Sequence, residues 1–226
     1  MPENQTINNY LIRKASLEDI PFIAKTIIEA EKSGTQTIGL AKLFDITEAE
    51  LNNYLLQILE IETHGCEFSL SSFFVAKYDG EPIAASGGWL EGFYYKGMPS
   101  AVIKANLLSC VLPKENLEKS IAKNEIFKDI LIPRAMNTYQ LEYAFVEENH
   151  RGNKLVQQLM LKHVTYIKTL NADVKYIQRR VFANNVSAIK AYQKVGYKII
   201  QQKVSLHPEI MNYLPYHTKL LMEKEL

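Results

Sequence analysis

The sequence predicts a mixed α/β fold in which helices flank one β-sheet. Segments with apolar residues at helical spacing alternate along the chain with short runs rich in β-branched and aromatic residues. Hydrophobic residues make up 47% of the chain, which is enough for a full core. Because no internal repeat or low-complexity linker divides the sequence, we expect one domain over residues 1–226.

The first elements are a strand over residues 10–14 and a helix that begins near Ser16 or Asp19. The apolar stripe of this helix consists of Ile20, Ile23, Ala24, Ile27 and Ile28. Thr47 and Glu50 have the spacing of a capping box, so they predict the start of a second helix.

A β-hairpin is predicted around Asp79-Gly80, a strong turn signal between two β-rich runs. Gly87 and Gly88 either weaken the strand formed by the second run or let another group approach its backbone closely. Prolines divide residues 97–137 into short segments with helical patterns. We predict that these segments form a helical insertion before the next strand. Within it, Cys110 lies in an apolar helical run and is predicted to be buried.

The second half of the chain alternates strands and helices. We predict a strand at 139–146, an amphipathic helix after the stretch "NHRGNK", and a strand at 175–182. A helix capped by Asn185 ends before Gly196, and two strands follow, within 197–205 and 218–226.

Composition excludes several classes of protein. A formal net charge of +1 argues against a protein dominated by nucleic-acid contacts. No apolar run reaches about 18 residues, so no membrane span or membrane partner is expected. The first ten residues are polar and lack a secretory apolar region. Cys66 and Cys110 are the two cysteines, and their spacing predicts neither a disulfide framework nor a metal site. A reduced, cytoplasmic setting fits best.

The segment 149–160 has features of an anion-binding site at the start of a helix. A loop ending in Arg151-Gly152 leads directly into a helix, whose first N–H groups and dipole favour an anion such as pyrophosphate. Gly152 permits close approach to the backbone, and Arg151 adds charge. The alternative is an exposed Arg-Gly corner without a ligand.

Two motifs in order resemble those of the GNAT family of N-acetyltransferases. The first is the acetyl-CoA loop V-x4-[Q/R]-x-x-G-x-[G/A], matched here by Val146 and Arg151 at the family's spacing. Lys154 and Val156 depart from its two small positions. The second, N-x-x-A-x-x-x-Y-x-x-x-G-[F/Y], is matched at every spacing by Asn185, Ala188, Tyr192, Gly196 and Tyr197. The resemblance implies a mostly antiparallel sheet and acetyl-CoA as co-substrate, with no metal.

The resemblance also implies where acetyl-CoA binds. Its pantetheine arm would lie between strands 139–146 and 175–182, which splay apart in the family. The residues expected to hold acetyl-CoA are Phe145, Val146, Arg151, Gly152, Asn153, Lys154, Leu155, Val156 and Asn185. Tyr192 matches the position whose hydroxyl protonates the departing thiolate. Its alternative is a tyrosine packed with Ile189 and Val195.

The general base is less defined by the sequence. Glu142 lies four residues before Val146, and on a regular strand both side chains would point the same way. We therefore name Glu142 as the base, with Glu91 as a weaker candidate. Residues 33–66 and 97–137, both long for the family, are predicted to form the walls of the acceptor site.

The resulting hypothesis is an N-acetyltransferase that acts on the primary amine of a small molecule or peptide. One alternative is a catalytically silent acyl-CoA-binding or regulatory module on the same scaffold. Another is an α/β interaction protein without a cofactor. The sequence leaves the acceptor and the oligomeric state open; a homodimer is expected only by analogy with such proteins.

Overall fold

Seven strands form one sheet in the computed structural model, which describes residues 10–170 and 173–226. The strands are β1 Leu11–Lys14, β2 Phe73–Tyr78, β3 Glu81–Leu90, β4 Tyr139–Val146, β5 Tyr176–Phe182, β6 Lys198–Val204 and β7 Thr218–Glu225. The spatial order is β1-β2-β3-β4-β5-β7-β6, and within the sheet β4 and β5 are the one parallel pair. The stretch 1–9, on which the expectation about a secretory signal rests, lies outside the described residues.

The helices lie between these strands along the chain. They are α1 Ile20–Lys32, α2 Gly39–Phe44, α3 Glu48–Glu60, α4 Ser100–Val111, α5 Lys114–Ala122, α6 Asn124–Phe127, α7 Leu155–Thr169, α8 Val186–Lys194 and α9 Ile210–Tyr213. The predicted elements are all present, including the capping box of Thr47 and Glu50 at the start of α3. The short helices α2 and α9 were not predicted.

The sheet is covered on both faces. Along β2, Phe73 and Val75 belong to a core with α1 and α3, whereas Phe74 and Ala76 pack with residues of α7. Successive side chains of a strand point to opposite faces, so α1 and α7 lie on opposite sides of the sheet. We call these sides the α1 face and the α7 face.

A bulge in β4 corrects one prediction about the base. The pairing of β3 with β4 shifts between Ser86 and Gly87, and Tyr143 is the extra residue, with a φ of 48°. A bulge residue reverses the alternation that follows it. Glu142 therefore points to the α1 face, whereas Val146 packs on the α7 face. The prediction that Glu142 and Val146 point the same way is wrong.

Strands β4 and β5 separate after a short paired stretch. Their parallel register joins Tyr139, Gln140 and Leu141 to Ile177, Gln178 and Arg179 and then ends, although both strands continue. Beyond Leu141, the β5-facing edge of β4 pairs with no other strand among the described residues. The predicted splay between these strands is therefore present, and it opens the sheet beside the start of α7.

His163 of α7 is held inside the core. Its Nδ1 lies 2.8 Å from the Tyr139 hydroxyl, and its Nε2 lies 3.0 Å from the Ser86 carbonyl oxygen. A carbonyl can only accept, so Nε2 donates and Nδ1 accepts from the tyrosine. Burial lowers the pKa of His163 to about 3, so the imidazole is neutral in the folded protein.

We expect this histidine to destabilise the fold in mild acid. Its pKa falls from about 6.5 in the unfolded chain to about 3 on folding, so the unfolded state binds the extra proton. Stability present above pH 6.5 is lost as the pH falls towards 3, by about 2 kcal/mol between pH 7.5 and 5. Urea denaturation at both pH values measures this loss. The loss should shrink in His163→Gln; an equal loss in both proteins would contradict the assignment.

Candidate active site

The loop before α7 leaves several backbone N–H groups without a hydrogen-bond partner among the described residues. Gly152 and Lys154 have φ values of 85° and 58°, and α7 begins without a side-chain cap. Among hydrogen bonds between described residues, none is donated by the backbone N–H groups of residues 152–157. A helix normally leaves its first four such groups unpaired, and here the preceding turn adds to them.

Lys154 explains why the family pattern places a glycine at this position. Its backbone is left-handed, a conformation that glycine adopts freely and that costs other residues roughly 1–2 kcal/mol. Its side chain is exposed. Val156, at the second small position of the pattern, packs partly against the core between α7, α8 and the sheet. Both departures are therefore accommodated without loss of the free amides.

A cleft of about 630 Å³ lies between the end of β4, the start of α7 and α8. We call it the donor cleft. It is lined by every residue predicted to hold acetyl-CoA except Asn153, namely Phe145, Val146, Arg151, Gly152, Lys154, Leu155, Val156 and Asn185. Asn153 instead donates from its side-chain amide to the His150 carbonyl, 3.1 Å away. The exposed Arg151 donates from Nε to the Val146 carbonyl at 3.2 Å.

Asn185 has a local reason to precede α8. Its side-chain oxygen accepts from the Ala188 backbone N–H at 3.2 Å and caps the helix. This cap fixes the start of α8 at the rim of the donor cleft. Tyr192, seven residues later, is thereby directed towards the split between β4 and β5.

A second cavity, of about 290 Å³, lies behind the donor cleft on the other side of the split. We call it the inner cavity. Ala144, Asn185 and Tyr192 line both spaces, so the two meet at these residues. Tyr192 is mostly buried and belongs to the hydrophobic cluster against which Ile189 and Val195 pack, in agreement with the alternative interpretation. Tyr192 is therefore packed in the core and also borders the junction of the donor cleft and the inner cavity.

Glu142 and Glu31, two of the four carboxylates that line the inner cavity, differ in their surroundings. Glu142 lies 3.5 Å from both Arg134 and Arg180 in ion pairs. Glu31 has no cation within ion-pair distance in the described part of the chain. It accepts hydrogen bonds from the Tyr143 hydroxyl at 3.1 Å and the Leu40 N–H at 3.2 Å. Burial raises the pKa of Glu31, against an opposing effect of Lys219.

Sequence reasoning missed Glu31, although the sequence contains a signal for it. Glu31 follows Ile27 and Ile28 by four and three residues, so it continues the apolar stripe of α1. A carboxylate on a buried stripe is costly unless it has a function or a partner.

Glu91 lies outside these cavities. It is buried, and its two oxygens accept from the Trp89 indole N–H at 2.9 Å and from the Ser100 backbone N–H at 2.7 Å. Glu91 therefore ties the end of β3 to the start of α4, and both oxygens are already engaged.

A third cavity, of about 510 Å³, adjoins the inner cavity and is mostly apolar. We call it the outer cavity. It shares Glu31, Leu40, Phe182 and Lys219 with the inner cavity. The segments 33–66 and 97–137 both contribute to the walls of these two cavities, through residues that include Leu43, Lys104, Phe127 and Leu131.

Across residues 10–170 and 173–226, no helix has the length and apolar character needed to cross a bilayer. The same part of the chain contains no group of three or more His, Cys, Asp or Glu residues arranged to hold a metal ion.

Comparison with known proteins gives the same family as the motifs. The sequence model of the acetyltransferase (GNAT) family matches residues 40–197. No curated protein matches the sequence.

Solved structures of acetyltransferases share the fold at low sequence identity. An N-acetyltransferase from Staphylococcus aureus Mu50 superposes with a TM-score of 0.67 at 15% identity, over 94% of this chain and 99% of its own. A structure described as an acetyltransferase superposes with a TM-score of 0.59 at 19% identity, over 95% of this chain and 98% of its own. An agmatine N-acetyltransferase mutant superposes with a TM-score of 0.56 at 13% identity, over 96% of this chain and 100% of its own. The family model covers most of the chain, and the chain belongs to the acetyltransferase (GNAT) family.

Proposed function

We propose that this protein transfers the acetyl group of acetyl-CoA to a primary amine. The observation that carries the proposal is the meeting of two cavities at Tyr192, in the split between β4 and β5. One cavity is bordered by free backbone amides, and the other holds carboxylates. A donor and an acceptor that entered from opposite sides would meet at this junction.

The size and the charge of the donor cleft both support acetyl-CoA as its ligand. The cleft volume of about 630 Å³ falls within the usual range for sites of small molecules and cofactors. The unpaired amides of residues 152–157 and the positive charge of Lys154 suit its pyrophosphate. The open edge of β4 beyond Leu141 suits the extended pantetheine arm, whose amides need hydrogen-bond partners. Acetyl-CoA supplies the acetyl group as a thioester.

The transfer requires two proton movements. The amine nitrogen forms a bond to the acetyl carbon as the carbon–sulfur bond breaks, so the amine loses one proton and the thiolate gains one. Tyr192 donates the proton to the sulfur, and Glu31 takes the proton from the amine, directly or through water. We assign the base to Glu31 because Arg134 and Arg180 already neutralise Glu142.

The donor site is tested by a matched pair of glycine variants. Gly152 and Gly80 have φ values of 85° and 88°, and a Cβ at either would meet no atom within 4 Å. Each alanine variant should therefore lose a similar, small amount of stability from backbone strain, about 1 kcal/mol. Because Gly152 also orients the free amides, we expect Gly152→Ala to weaken acetyl-CoA binding about tenfold in calorimetric titration. Gly80→Ala should bind as the unmodified protein does.

Equal acetyl-CoA affinities in the two variants would contradict the proposed donor site. A catalytically silent acyl-CoA-binding module is the second candidate function, and binding alone does not exclude it. Release of free thiol from acetyl-CoA in the presence of amines separates the two. Binding without thiol release over a broad amine panel would support the silent module.

A further inference from the structure

Four residues connect the inner cavity to the outer cavity. Glu31, Leu40, Phe182 and Lys219 line both spaces, and we call this group the neck. The neck includes the carboxylate that we assign as the base. An amine that gives its proton to Glu31 therefore lies beside the entrance to the outer cavity. The rest of the acceptor can then extend into that cavity.

A glycine keeps the Glu31 carboxylate close to the apolar wall of the outer cavity. Gly39, the first residue of α2, lines this cavity. A Cβ at Gly39 would lie 3.0 Å from Oε2 of Glu31 and 3.2 Å from Leu214, closer than ordinary van der Waals contact. A side chain at this position would push the carboxylate and the apolar wall apart. The site of proton transfer and the apolar space are therefore direct neighbours.

The fold leaves five apolar side chains of the outer cavity partly or largely uncovered. They are Leu43, Phe127, Leu131, Phe182 and Leu214. Leu131 is the most exposed of them, at 62%. A ligand group that covers these side chains gains free energy in proportion to the apolar area removed from water. The cavity of about 510 Å³ has room for an alkyl chain or an aromatic ring.

The carboxylates of the inner cavity other than that of the neck are paired with cations. Glu29 pairs with Lys32 at 2.8 Å, and Glu67 pairs with Arg134 at 2.9 Å. Arg134 also lies 3.5 Å from Glu142. Within the described part of the chain, the neck thus supplies the one carboxylate of this cavity that has no ion pair. One unpaired carboxylate suits an acceptor with one basic nitrogen.

The charged groups around the outer cavity disfavour a second charge on the acceptor. Lys219 lies opposite Phe182 in the register of β5 and β7, and its ammonium is 4.9 Å from the centre of that ring. This cation at the neck repels a second ammonium group. Farther out, the exposed Glu125 and Lys128 pair with each other at 3.4 Å.

We propose that the acceptor is a monoamine with a large apolar group, such as a long alkylamine or an arylalkylamine. Its nitrogen lies between Tyr192 and Glu31, and its apolar group fills the outer cavity. This inference rests on the proposed acetyl transfer and names the substrate class for the same site. A charged group at the far end of the acceptor would lose its hydration in an apolar cavity, at a large cost in free energy.

The unmodified protein allows a first test by thiol release with three acceptors of matched length. Heptylamine, hexane-1,6-diamine and 7-aminoheptanoic acid carry the same amine and alkyl chain, and they end in a methyl, an ammonium and a carboxylate group. We expect kcat/KM to be about 100-fold higher for heptylamine, because its far end enters the outer cavity without losing the hydration of a charge. Equal or faster reaction of either charged acceptor would overturn the inference while leaving acetyl transfer intact. No thiol release with any acceptor over a broad amine panel would contradict the proposed function itself.

The length of the alkyl chain tests whether the apolar group is covered by the protein. Complete burial of one methylene group corresponds to about a fourfold gain in kcat/KM. From propylamine to heptylamine, we therefore expect kcat/KM to rise about two- to fourfold with each added methylene group. A kcat/KM that is independent of chain length would mean that the alkyl chain stays in water, and it would overturn the inference.

A carboxylate placed in the wall of the outer cavity should change the preference. Leu131 is 62% exposed, so Leu131→Glu should keep the fold. We expect the ratio of kcat/KM for hexane-1,6-diamine to that for heptylamine to rise about tenfold, because the new carboxylate attracts the far ammonium and disfavours the alkyl chain. Leu206→Glu is the matched control, since Leu206 is 87% exposed and lines none of the three cavities. An unchanged ratio in Leu131→Glu, or the same change in both variants, would remove the outer cavity from the acceptor site and overturn the inference.

Discussion

Replacing Tyr192 by phenylalanine is expected to lower turnover by about 10²–10⁴-fold, since it removes the hydroxyl that we propose as the proton donor to the departing thiolate. This corresponds to about 3–5 kcal/mol of transition-state stabilisation. Thermal stability and acetyl-CoA affinity should change little, because the ring keeps its packing with α8 and with Arg179. Thiol-release kinetics and calorimetric titration of the same preparation measure both quantities.

Tyr197 provides a matched control for this prediction. Its ring centre lies 6.1 Å from that of Tyr192, and its buried hydroxyl has no hydrogen-bond partner in the described part of the chain. Tyr197 lines neither the donor cleft nor the inner cavity. Tyr197→Phe should therefore retain full turnover. If both variants were fully active, Tyr192 would have no role in proton transfer.

Replacing Glu31 by glutamine should lower turnover by about 10²–10⁴-fold and change the dependence of rate on pH. Burial raises the pKa of Glu31 above 4.5, and only the ionised carboxylate can accept a proton. The rate of the unmodified protein should therefore rise with pH through this pKa. In Glu31→Gln that rise should disappear.

Glu142→Gln distinguishes the two candidate bases. This change removes the carboxylate that pairs with Arg134 and Arg180, so it should reduce stability. The rise of rate with pH should persist in the variant. If it vanished in Glu142→Gln and persisted in Glu31→Gln, the base would be Glu142, as the sequence alone suggested.

Local periodicity was sufficient to predict the main elements of the fold. Helical spacing predicts α1, the capping box predicts α3, and Asp79-Gly80 predicts the hairpin of β2 and β3, because each depends on neighbouring residues. The short helices α2 and α9 depend instead on packing against distant segments. Cys110 was predicted to be buried and is exposed, because the apolar run of α4 does not reveal which side meets the core.

The donor cleft was predictable from motifs, whereas the inner cavity was not. A loop that binds a diphosphate through its backbone consists of residues that are adjacent in sequence. The motif over residues 151–156 can therefore be recognised from the sequence alone. The inner cavity combines α1, β4, β5 and β7, which only the sheet order brings together. Arg179 alternates with the buried Ile177 and Val181 on β5, so its side chain lies on the apolar face that packs with α7 and α8.

The bulge at Tyr143 shows a further limit of sequence reasoning. Regular alternation placed Glu142 and Val146 on one face, and a single extra residue with positive φ reversed that relation. Nothing in the stretch "LEYAFV" marks the bulge, since its extra residue is a tyrosine and not a glycine.

The most direct test of this account is a crystal structure of the protein with bound acetyl-CoA. We expect the diphosphate to accept hydrogen bonds from the backbone amides of residues 152–157. The thioester should lie in the split between β4 and β5, beside Tyr192. A complex in which the diphosphate binds elsewhere, or in which β4 and β5 are paired along their whole length, would contradict it.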